Sequence, residues 1–168
     1  MEWTAAILTV SDQGSRGLRQ DTSGPALREM LEESGYRVVY TKIIPDEFDE
    51  IARELRHCCD ALHVCLTLTT GGTGFSPRDI TPEATLSVLE REARGIPEAM
   101  RAYSMTITDR ACLSREAAGL RGETLIVNLP GSRKAAMENL SAVLRPIRHG
   151  IEILRGETAN CGAEHHHK

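Results

Sequence analysis

The sequence predicts one α/β domain whose sheet is mostly parallel, with helices on both faces and an antiparallel edge strand. Two observations lead to this fold class. Apolar, β-branched segments alternate with amphipathic ones in the order β-α-β-α-β-α-α-(β)-β-α, which is typical of parallel strands joined by helical crossovers. The 168 residues also contain no internal repeat, low-complexity linker or domain break. In such a sheet the carboxyl ends of the strands share one edge, where ligands bind.

The first strand and helix have clear ends. Ala5–Val10 is apolar and stops at residues 11–15, which are turn-forming and are expected to be a loop. A helix can begin at 23–25, where proline follows Ser-Gly, and Gly35 is placed to end it. One face of this helix carries apolar residues at three- and four-residue spacing: Leu27, Met30 and Leu31.

The second strand and helix are separated by a proline. Tyr36–Ile44 is rich in valine and isoleucine, and Pro45 cannot continue a central strand. Asp46 stands where the N-cap of a helix is expected, and a cap is the commoner role for an aspartate there. It also lies at a strand-to-helix edge, so a role in chemistry stays open. The buried face of the helix is predicted to carry Phe48, Ile51, Ala52 and Leu55.

The third predicted strand, Leu62–Leu68, leads into a loop rich in glycine and threonine. Residues 69–83 combine three glycines with threonines and an Arg-Asp pair. Glycine has no Cβ, so the backbone at Gly71, Gly72 and Gly74 can adopt positive φ values and let a phosphate approach its N–H groups closely. This combination is more specific than a glycine-rich turn alone, which is common.

The second half of the chain is predicted to contain three helices and a hairpin. The helices span 82–91, with Thr81 as N-cap, 96–105, and 133–155, with a kink or break at Pro146. Segments 115–120 and 123–129 form a hairpin whose first arm pairs antiparallel at the sheet edge, whereas 108–114 is ambiguous. A polar tail, 157–168, follows the domain.

Composition excludes several classes of protein. A net charge of −4 and a pI near 5.9 argue against a nucleic-acid-binding surface. No apolar run approaches the roughly 20 residues of a membrane span. The start, Met1–Thr4, lacks the basic and apolar regions of a secretory signal, so we expect a cytoplasmic protein.

The cysteines and histidines show no metal-ligand spacing. The five cysteines (Cys58, Cys59, Cys65, Cys112 and Cys161) are odd in number and have no Cys-x-x-Cys pair, so reduced thiols are expected. The internal histidines (His57, His63 and His149) are interpreted as packing or surface residues. The terminal His165–His167 receive no role in the chemistry.

The residues at the strand ends indicate a site for a phosphorylated substrate or nucleotide. Glycine N–H groups would hold phosphate, hydroxyl groups would orient it, and Asp46 and Asp79 would hold a magnesium ion between them. The chain has no Gly-x-x-x-x-Gly-Lys-Ser/Thr motif and no Gly-x-Gly-x-x-Gly after its first strand. A Walker-type hydrolase is therefore excluded and a dinucleotide dehydrogenase disfavoured.

Several motifs, in order, resemble those of the molybdopterin adenylyltransferases, the MogA/MoaB group related to the G domain of gephyrin. The central one is Thr69-Thr70-Gly71-Gly72-Thr73-Gly74 followed by Arg78-Asp79-x-Thr81-Pro82-Glu83-Ala84. The others are Val10-Ser11-Asp12, Asp21-x-Ser23-Gly24-Pro25, Ile44-Pro45-Asp46, Leu113-Ser114-Arg115 with Gly119-x-Arg121-Gly122, and Asn128-Leu129-Pro130-Gly131-Ser132. The resemblance covers residues 5–156.

The resemblance implies the three-layer α/β/α fold of that family, transfer of AMP from ATP to molybdopterin, and Mg²⁺ as cofactor. It also implies a homotrimer or hexamer, and a molybdenum insertase acting downstream. Asp46 and Asp79 would be the catalytic residues and the metal ligands. The substrate- and nucleotide-binding residues implied are Ser11, Asp12, Ser23, Gly24, Thr70, Gly71, Gly72, Thr73, Gly74, Ser114, Asn128, Pro130, Gly131 and Ser132.

One departure and two rival functions remain. Some members of the family have Asn-Pro where this chain has Ser132-Arg133, which puts side-chain contacts there in doubt. A nucleotide pyrophosphatase of the competence-damage type shares the fold. The glycine loop of that family resembles Thr-Thr-Gly-Gly-Leu-Gly followed by a double aspartate, whereas this chain has Thr73 and Arg78-Asp79. A catalytically inactive relative that binds molybdopterin is the other alternative.

Overall fold

The structure, a computed structural model, describes residues 2–157, which form a six-stranded sheet between two layers of helices. The strands are β1 (Thr4–Val10), β2 (Arg37–Ile44), β3 (Leu66–Thr70), β4 (Arg91–Glu92), β5 (Ala118–Arg121) and β6 (Thr124–Leu129). The α-helices are α1 (Asp12–Ser15), α2 (Ser23–Glu33), α3 (Phe48–Arg56), α4 (Thr81–Val88), α5 (Gly95–Met105) and α6 (Arg133–Leu154). A π-helical turn (His57–Ala61) follows α3, and a 3₁₀ helix (Asp109–Leu113) follows α5.

The strand order β2-β1-β3-β6-β5-β4 confirms the predicted fold class. Strands β2, β1, β3 and β6 are parallel, and β5 and β4 are antiparallel additions. The prediction that segment 115–120 forms the sheet edge is wrong, because β4 pairs outside β5. A Cβ at Gly119 would lie 2.4 Å from the Arg91 carbonyl oxygen, so this glycine permits the close approach of β4.

Apolar residues cover both faces of the sheet. Along β1, Ala5 and Ile7 face the layer of α2, α5 and α6, whereas Ala6, Leu8 and Val10 face the layer of α3 and α4. All five are buried, as expected for a central parallel strand with helices on both sides. The carboxyl ends of β1, β3 and β6 therefore emerge at one edge between two packed layers.

Two predicted helix caps are wrong. Helix α3 begins after Glu47, and the Asp46 carboxylate does not cap it but accepts a hydrogen bond from the Asp12 N–H, 2.8 Å away. Thr81 is the first residue of α4 instead of its N-cap, and its buried Oγ1 has no hydrogen-bond partner among the described residues. Phe48 was placed in the buried face of α3 but is 40% exposed.

Other boundaries shift by a few residues. Residues 12–15 form α1 rather than a loop, because the Ser11 hydroxyl accepts from the Gly14 N–H at 3.0 Å. The third strand begins at Leu66 instead of Leu62, and α4 ends at Val88. Helix α6 includes Pro146 without interruption.

The cysteine and histidine predictions hold where the structure describes them. Cys58, Cys59 and Cys65 are buried free thiols, and Cys112 is an exposed one. The three internal histidines are exposed. Cys161 and His165–His167 lie outside the described residues. Within residues 2–157 no helix combines the length and hydropathy that are needed to cross a membrane.

Candidate functional site

A cleft of about 510 Å³ lies at the carboxyl ends of β1, β3 and β6. Nine of the residues that the sequence predicted for the site line it: Ser11, Ser23, Asp46, Thr70, Gly71, Gly72, Asp79, Gly131 and Ser132. They come from five separate turns of the chain. The tertiary structure thus brings the predicted turns together at one edge of the sheet.

The glycine turn is held by close backbone packing. Gly71 has φ of 104°, and a Cβ there would lie 2.3 Å from the Val10 carbonyl oxygen. Gly72 has φ of 68°, and its Cβ would lie 2.2 Å from Thr81 Oγ1. The Gly71 N–H donates to the Leu129 carbonyl, so this amide is already engaged by the backbone. These glycines shape the floor of the cleft, since any side chain would displace a neighbour.

Asp12 and Asp46 cross-link the turns after β1 and β2. The Asp12 N–H donates to Asp46 Oδ2 at 2.8 Å, and the Asp46 N–H donates to Asp12 Oδ1 at 3.1 Å. Arg78 Nε and Nη2 each donate to the Asp12 carboxylate at 3.0 Å, and Nη2 also donates to Glu47 at 2.7 Å. The Arg78 hydrogen bonds lower the pKa of Asp12. The negative charge of Asp12 is therefore balanced by Arg78, and this carboxylate has a structural role. Asp12 does not line the cleft.

Asp46 and Asp79 are the acidic pair of the cleft. Burial raises the pKa of Asp46, and repulsion from the Asp12 and Asp79 carboxylates adds to that effect. Asp79 Oδ2 accepts a hydrogen bond from the Ser76 N–H at 2.9 Å, and a Cβ at Gly74 would lie 3.0 Å from this same oxygen. A bound cation would relieve the repulsion between the two carboxylates.

This donor set fits a magnesium ion bound together with a substrate. Among residues 2–157 there is no group of three or more His, Cys, Asp or Glu side chains that could hold a metal alone. Mg²⁺ is usually held by one or two carboxylates, with waters and substrate phosphates completing its octahedron. Asp46 and Asp79 provide the two carboxylates that such a site needs.

Two serines keep a proton to donate into the cleft. The Ser11 hydroxyl accepts from the Gly14 N–H, and the Ser132 hydroxyl accepts from the Ala135 N–H at 3.4 Å as the N-cap of α6. A hydroxyl that accepts still has its own O–H. Ser11 and Ser132 can therefore each donate a hydrogen bond to a phosphate oxygen.

Two other hydroxyls are already engaged. Thr70 Oγ1 donates to the Pro130 carbonyl at 2.7 Å, and Ser23 Oγ donates to the Gly131 carbonyl at 2.9 Å. Both bonds hold the turn after β6 against the neighbouring turns. Thr70 and Ser23 therefore position the cleft wall, although both line the cleft.

Seven predicted site residues do not line this cleft: Asp12, Gly24, Thr73, Gly74, Ser114, Asn128 and Pro130. Asn128 is fully buried, and its amide donates to Thr69 and Thr85 and accepts from the Ala117 N–H. It joins strand β6 to its neighbours and has no exposed surface for a ligand. Ser114 and Pro130 line a separate, smaller cavity.

Sequence reasoning missed Asp21, which organises the start of α2. Its carboxylate accepts from the N–H groups of Ser23 and Gly24 and from Thr9 Oγ1, at distances of 3.1, 2.9 and 2.6 Å. A Cβ at Gly24 would lie 2.4 Å from Asp21 Oδ2, so Gly24 makes room for this cap. The Asp-x-Ser-Gly spacing is the signal that could have identified it.

Three arginines near the site were also missed. Arg19 and Arg133 line the cleft and bring positive charge to it. Arg115 holds the glycine loop, since its Nε donates to the Gly74 carbonyl at 2.8 Å and its Nη2 to the Asp79 carbonyl at 2.9 Å. It also forms an ion pair with Glu83. Local periodicity carries no signal for such long-range contacts.

Comparisons with known proteins agree on one family. The profile of a family described as "Probable molybdopterin binding domain" matches residues 6–149. A molybdopterin adenylyltransferase of Helicobacter pylori (strain 26695) is 41% identical over 152 residues, covering 89% of this chain and 86% of that protein. Gephyrin of Dictyostelium discoideum is 43% identical over 175 residues; the match covers 98% of this chain but 24% of gephyrin.

A solved structure gives the same result. The molybdopterin biosynthesis enzyme MoaB of Thermus thermophilus is 47% identical, with a TM-score of 0.87, covering 92% of this chain and 97% of that one. Since the family profile matches more than half of the chain, the chain belongs to this family of molybdopterin-binding domains.

Proposed function

We propose that this protein is a molybdopterin adenylyltransferase of molybdenum cofactor biosynthesis, transferring AMP from ATP to molybdopterin. The juxtaposition of Asp46 and Asp79 with the glycine turn in one cleft is the observation that carries the proposal. Relatives with this name match most of the chain, and those from Helicobacter pylori also match over most of their own length.

In this reaction the terminal phosphate of molybdopterin attacks the α-phosphorus of ATP. The bond from that phosphorus to the bridging oxygen breaks, and pyrophosphate leaves. Both reactants are anionic, so positioning and charge neutralisation supply most of the rate. Ser11 and Ser132 donate O–H groups to phosphate oxygens, and Arg19 and Arg133 provide positive charge at the cleft.

Asp46 and Asp79 would hold Mg²⁺ between themselves and the phosphates. Mg²⁺ bound by these two carboxylates would supply charge screening for the phosphate groups. The pKa of Asp46 is raised mainly by burial and further by the Asp12 and Asp79 carboxylates, and a buried, repelled carboxylate gains most from a cation, which supports this role. Arg115 keeps the Asp79 segment in place through its carbonyl group.

Mass spectrometry of the products tests the proposal directly. The protein is incubated with molybdopterin, ATP and Mg²⁺, and we expect adenylylated molybdopterin and an equal amount of pyrophosphate. Hydrolysis of a dinucleotide without adenylyl transfer would identify the pyrophosphatase alternative. Binding of molybdopterin without any product would identify the inactive relative.

The assembly proposed is a homotrimer, or a hexamer of two trimers, in the cytoplasm. Large apolar side chains on α5 and the segment after it support a contact between copies: Tyr103, Met105, Ile107 and Leu113 are 42–48% exposed. Light scattering after gel filtration measures the mass, and a monomer would contradict this part. The adenylylated product would then pass to a molybdenum insertase.

A further inference from the structure

Arg78 and Asp79 are consecutive residues whose side chains go to different places. Asp79 lines the cleft, whereas Arg78 does not. The Arg78 side chain instead reaches the turns that follow β1 and β2, where it is 51% exposed and donates hydrogen bonds to Asp12 and Glu47. The proposed reaction gives this arginine no role, although it belongs to the Arg-Asp pair of the glycine loop.

The guanidinium of Arg78 divides four neighbouring carboxylates into two pairs. It binds Asp12 by two parallel hydrogen bonds, Nε to Oδ2 and Nη2 to Oδ1, both 3.0 Å long, and Nη2 also donates to Glu47 Oε1 at 2.7 Å. Neither Asp12 nor Glu47 lines the cleft, whereas Asp46 and Asp79 both do. The charge that remains for a ligand is therefore that of two carboxylates, which balances one divalent cation.

The same hydrogen bonds join the segment that carries Asp79 to the turn that carries Asp46. The Asp12 carboxylate accepts from Arg78 with both oxygens, and its Oδ1 also accepts from the Asp46 N–H at 3.1 Å. The Asp12 N–H in turn donates to Asp46 Oδ2 at 2.8 Å. Hydrogen bonds thus run without interruption from the residue before Asp79 to the Asp46 carboxylate. Because the guanidinium is a rigid planar fork, this connection fixes geometry as well as charge.

Arg115 holds the other side of the glycine loop. Its Nε donates to the Gly74 carbonyl at 2.8 Å and its Nη2 to the Asp79 carbonyl at 2.9 Å. Arg115 precedes β5, whereas Arg78 contacts the turns after β1 and β2, so the loop is held from two directions. The Asp79 carboxylate itself accepts from the N–H of Ser76, which lies in the same loop. Its position in the cleft therefore depends on how the loop is held.

We propose that Arg78 is a positioning residue for the magnesium site: its fork on Asp12 fixes the separation of the Asp46 and Asp79 carboxylates and keeps the Asp12 carboxylate out of the cleft. This inference rests on the proposed function, which places Mg²⁺ between Asp46 and Asp79. Mg²⁺ requires near-ideal octahedral geometry, so a small displacement of one carboxylate weakens its binding. Arg78 acts through other residues and contacts neither the ion nor the nucleotide.

The contribution of Arg78 to the stability of the fold should be small. Exposed ion pairs add little to the free energy of unfolding, because water screens them and two long side chains lose freedom. Arg78 is about half exposed, and its partner Glu47 is 58% exposed. Replacing Arg78 should therefore lower the melting temperature by less than about 4 °C. A loss of metal binding in such a variant reports the position of the carboxylates and not unfolding.

The test measures binding of metal and nucleotide without any reaction. Mn²⁺ replaces Mg²⁺, and electron paramagnetic resonance follows the free ion. The nucleotide is an ATP analogue with a methylene group between the α- and β-phosphorus atoms, which cannot release pyrophosphate. Arg78→Gln should weaken Mn²⁺ binding by about 10- to 100-fold, the usual effect of losing a group that orients a metal ligand. Arg78→Lys keeps the charge but not the fork, and should weaken it by a similar factor.

Two further measurements separate positioning from other roles. In the presence of a chelator, both Arg78 variants should bind the analogue within about twofold of wild type, because Arg78 does not contact the nucleotide. Arg94→Gln is the matched control, since Arg94 also binds one carboxylate, that of Glu92, through Nε and Nη2, and neither residue lines the cleft. It should change Mn²⁺ binding by less than about twofold.

Wild-type affinity for Mn²⁺ in Arg78→Gln would overturn the inference. Full recovery in Arg78→Lys would also overturn it, because charge alone would then be sufficient. So would an equal loss of analogue affinity with and without Mn²⁺, which would place Arg78 in contact with a phosphate.

The adenylyl-transfer assay on wild type is a separate readout of the proposed function. A wild-type protein that binds Mn²⁺ with the analogue but transfers no AMP contradicts the proposed function, and the effect of Arg78 on metal binding still stands. Failure of wild type to bind Mn²⁺ with the analogue overturns the inference and removes the metal site from the proposed function.

Discussion

Glu116 should make the free protein less stable as pH rises, and the substitution Glu116→Gln should remove this pH dependence. Burial raises its pKa from 4.5 to about 7, while Ser114 and Arg101 oppose the rise. Between these two pH values the folded protein holds a proton that the unfolded chain has released. Stability therefore falls as pH rises from 4.5 to 7, and the loss is complete above the folded-state pKa.

The size of the effect follows from the two pKa values. At about 1.36 kcal/mol per pH unit, the interval from 4.5 to about 7 corresponds to about 3 kcal/mol. In a chain of this length, 1 kcal/mol shifts the melting temperature by about 2–4 °C, so the expected shift is about 6–12 °C. Asp46 and Asp12 also titrate, but their contributions cancel when wild type and Glu116→Gln are compared at each pH.

The assay is urea denaturation of wild type and Glu116→Gln at pH 5 and pH 8. The difference in unfolding free energy between the two proteins should change by about 2.5 kcal/mol between these pH values, in favour of the variant at pH 8. Glu138→Gln, which retains Glu116, should follow wild type. An unchanged difference at the two pH values would show that Glu116 is not desolvated in the folded protein.

Four further predictions concern the cleft. Asp79→Ala should abolish adenylyl transfer without unfolding the protein. Full turnover by this variant would show that Asp79 is not a metal ligand. Chelating Mg²⁺ should weaken ATP binding at least about tenfold in calorimetry, and equal affinity would contradict a shared metal. Gly72→Ala should cost about 1–3 kcal/mol in urea denaturation, because φ is 68° and the new Cβ would meet Thr81 Oγ1 at 2.2 Å. Gly122→Ala, with φ of 53° but open space around the Cβ, is its control and should cost less. Arg115→Lys should lower kcat about tenfold, since lysine cannot reach both the Gly74 and Asp79 carbonyls; unchanged kcat would contradict its role in holding the loop.

The architecture could be predicted because its signals are local. β-Branched runs bounded by glycine and proline identified the strands, and three- to four-residue spacing identified the helices. The order of these elements was sufficient to predict a mostly parallel sheet. This sheet topology implied that the turns containing Ser11 and Gly71 lie at the same edge. Strand β4 was missed because two residues, Arg91 and Glu92, carry no periodicity, and their pairing depends on the small size of Gly119 across the sheet.

The sequence by itself determined the fold class and most of the turns that line the cleft, because apolar periodicity and turn chemistry act over a few neighbouring residues. Only the tertiary structure decided what each polar group does. Asp46 meets Asp12, 34 residues away, instead of capping its own helix, and the Gly71 amide is bound by Leu129. Glu116 is an ordinary charged residue in the sequence, and its burial exists only once α5, α6 and the turn after β6 close around it. Hydrogen bonding and desolvation depend on which groups meet in space, and that information is distributed over the whole chain.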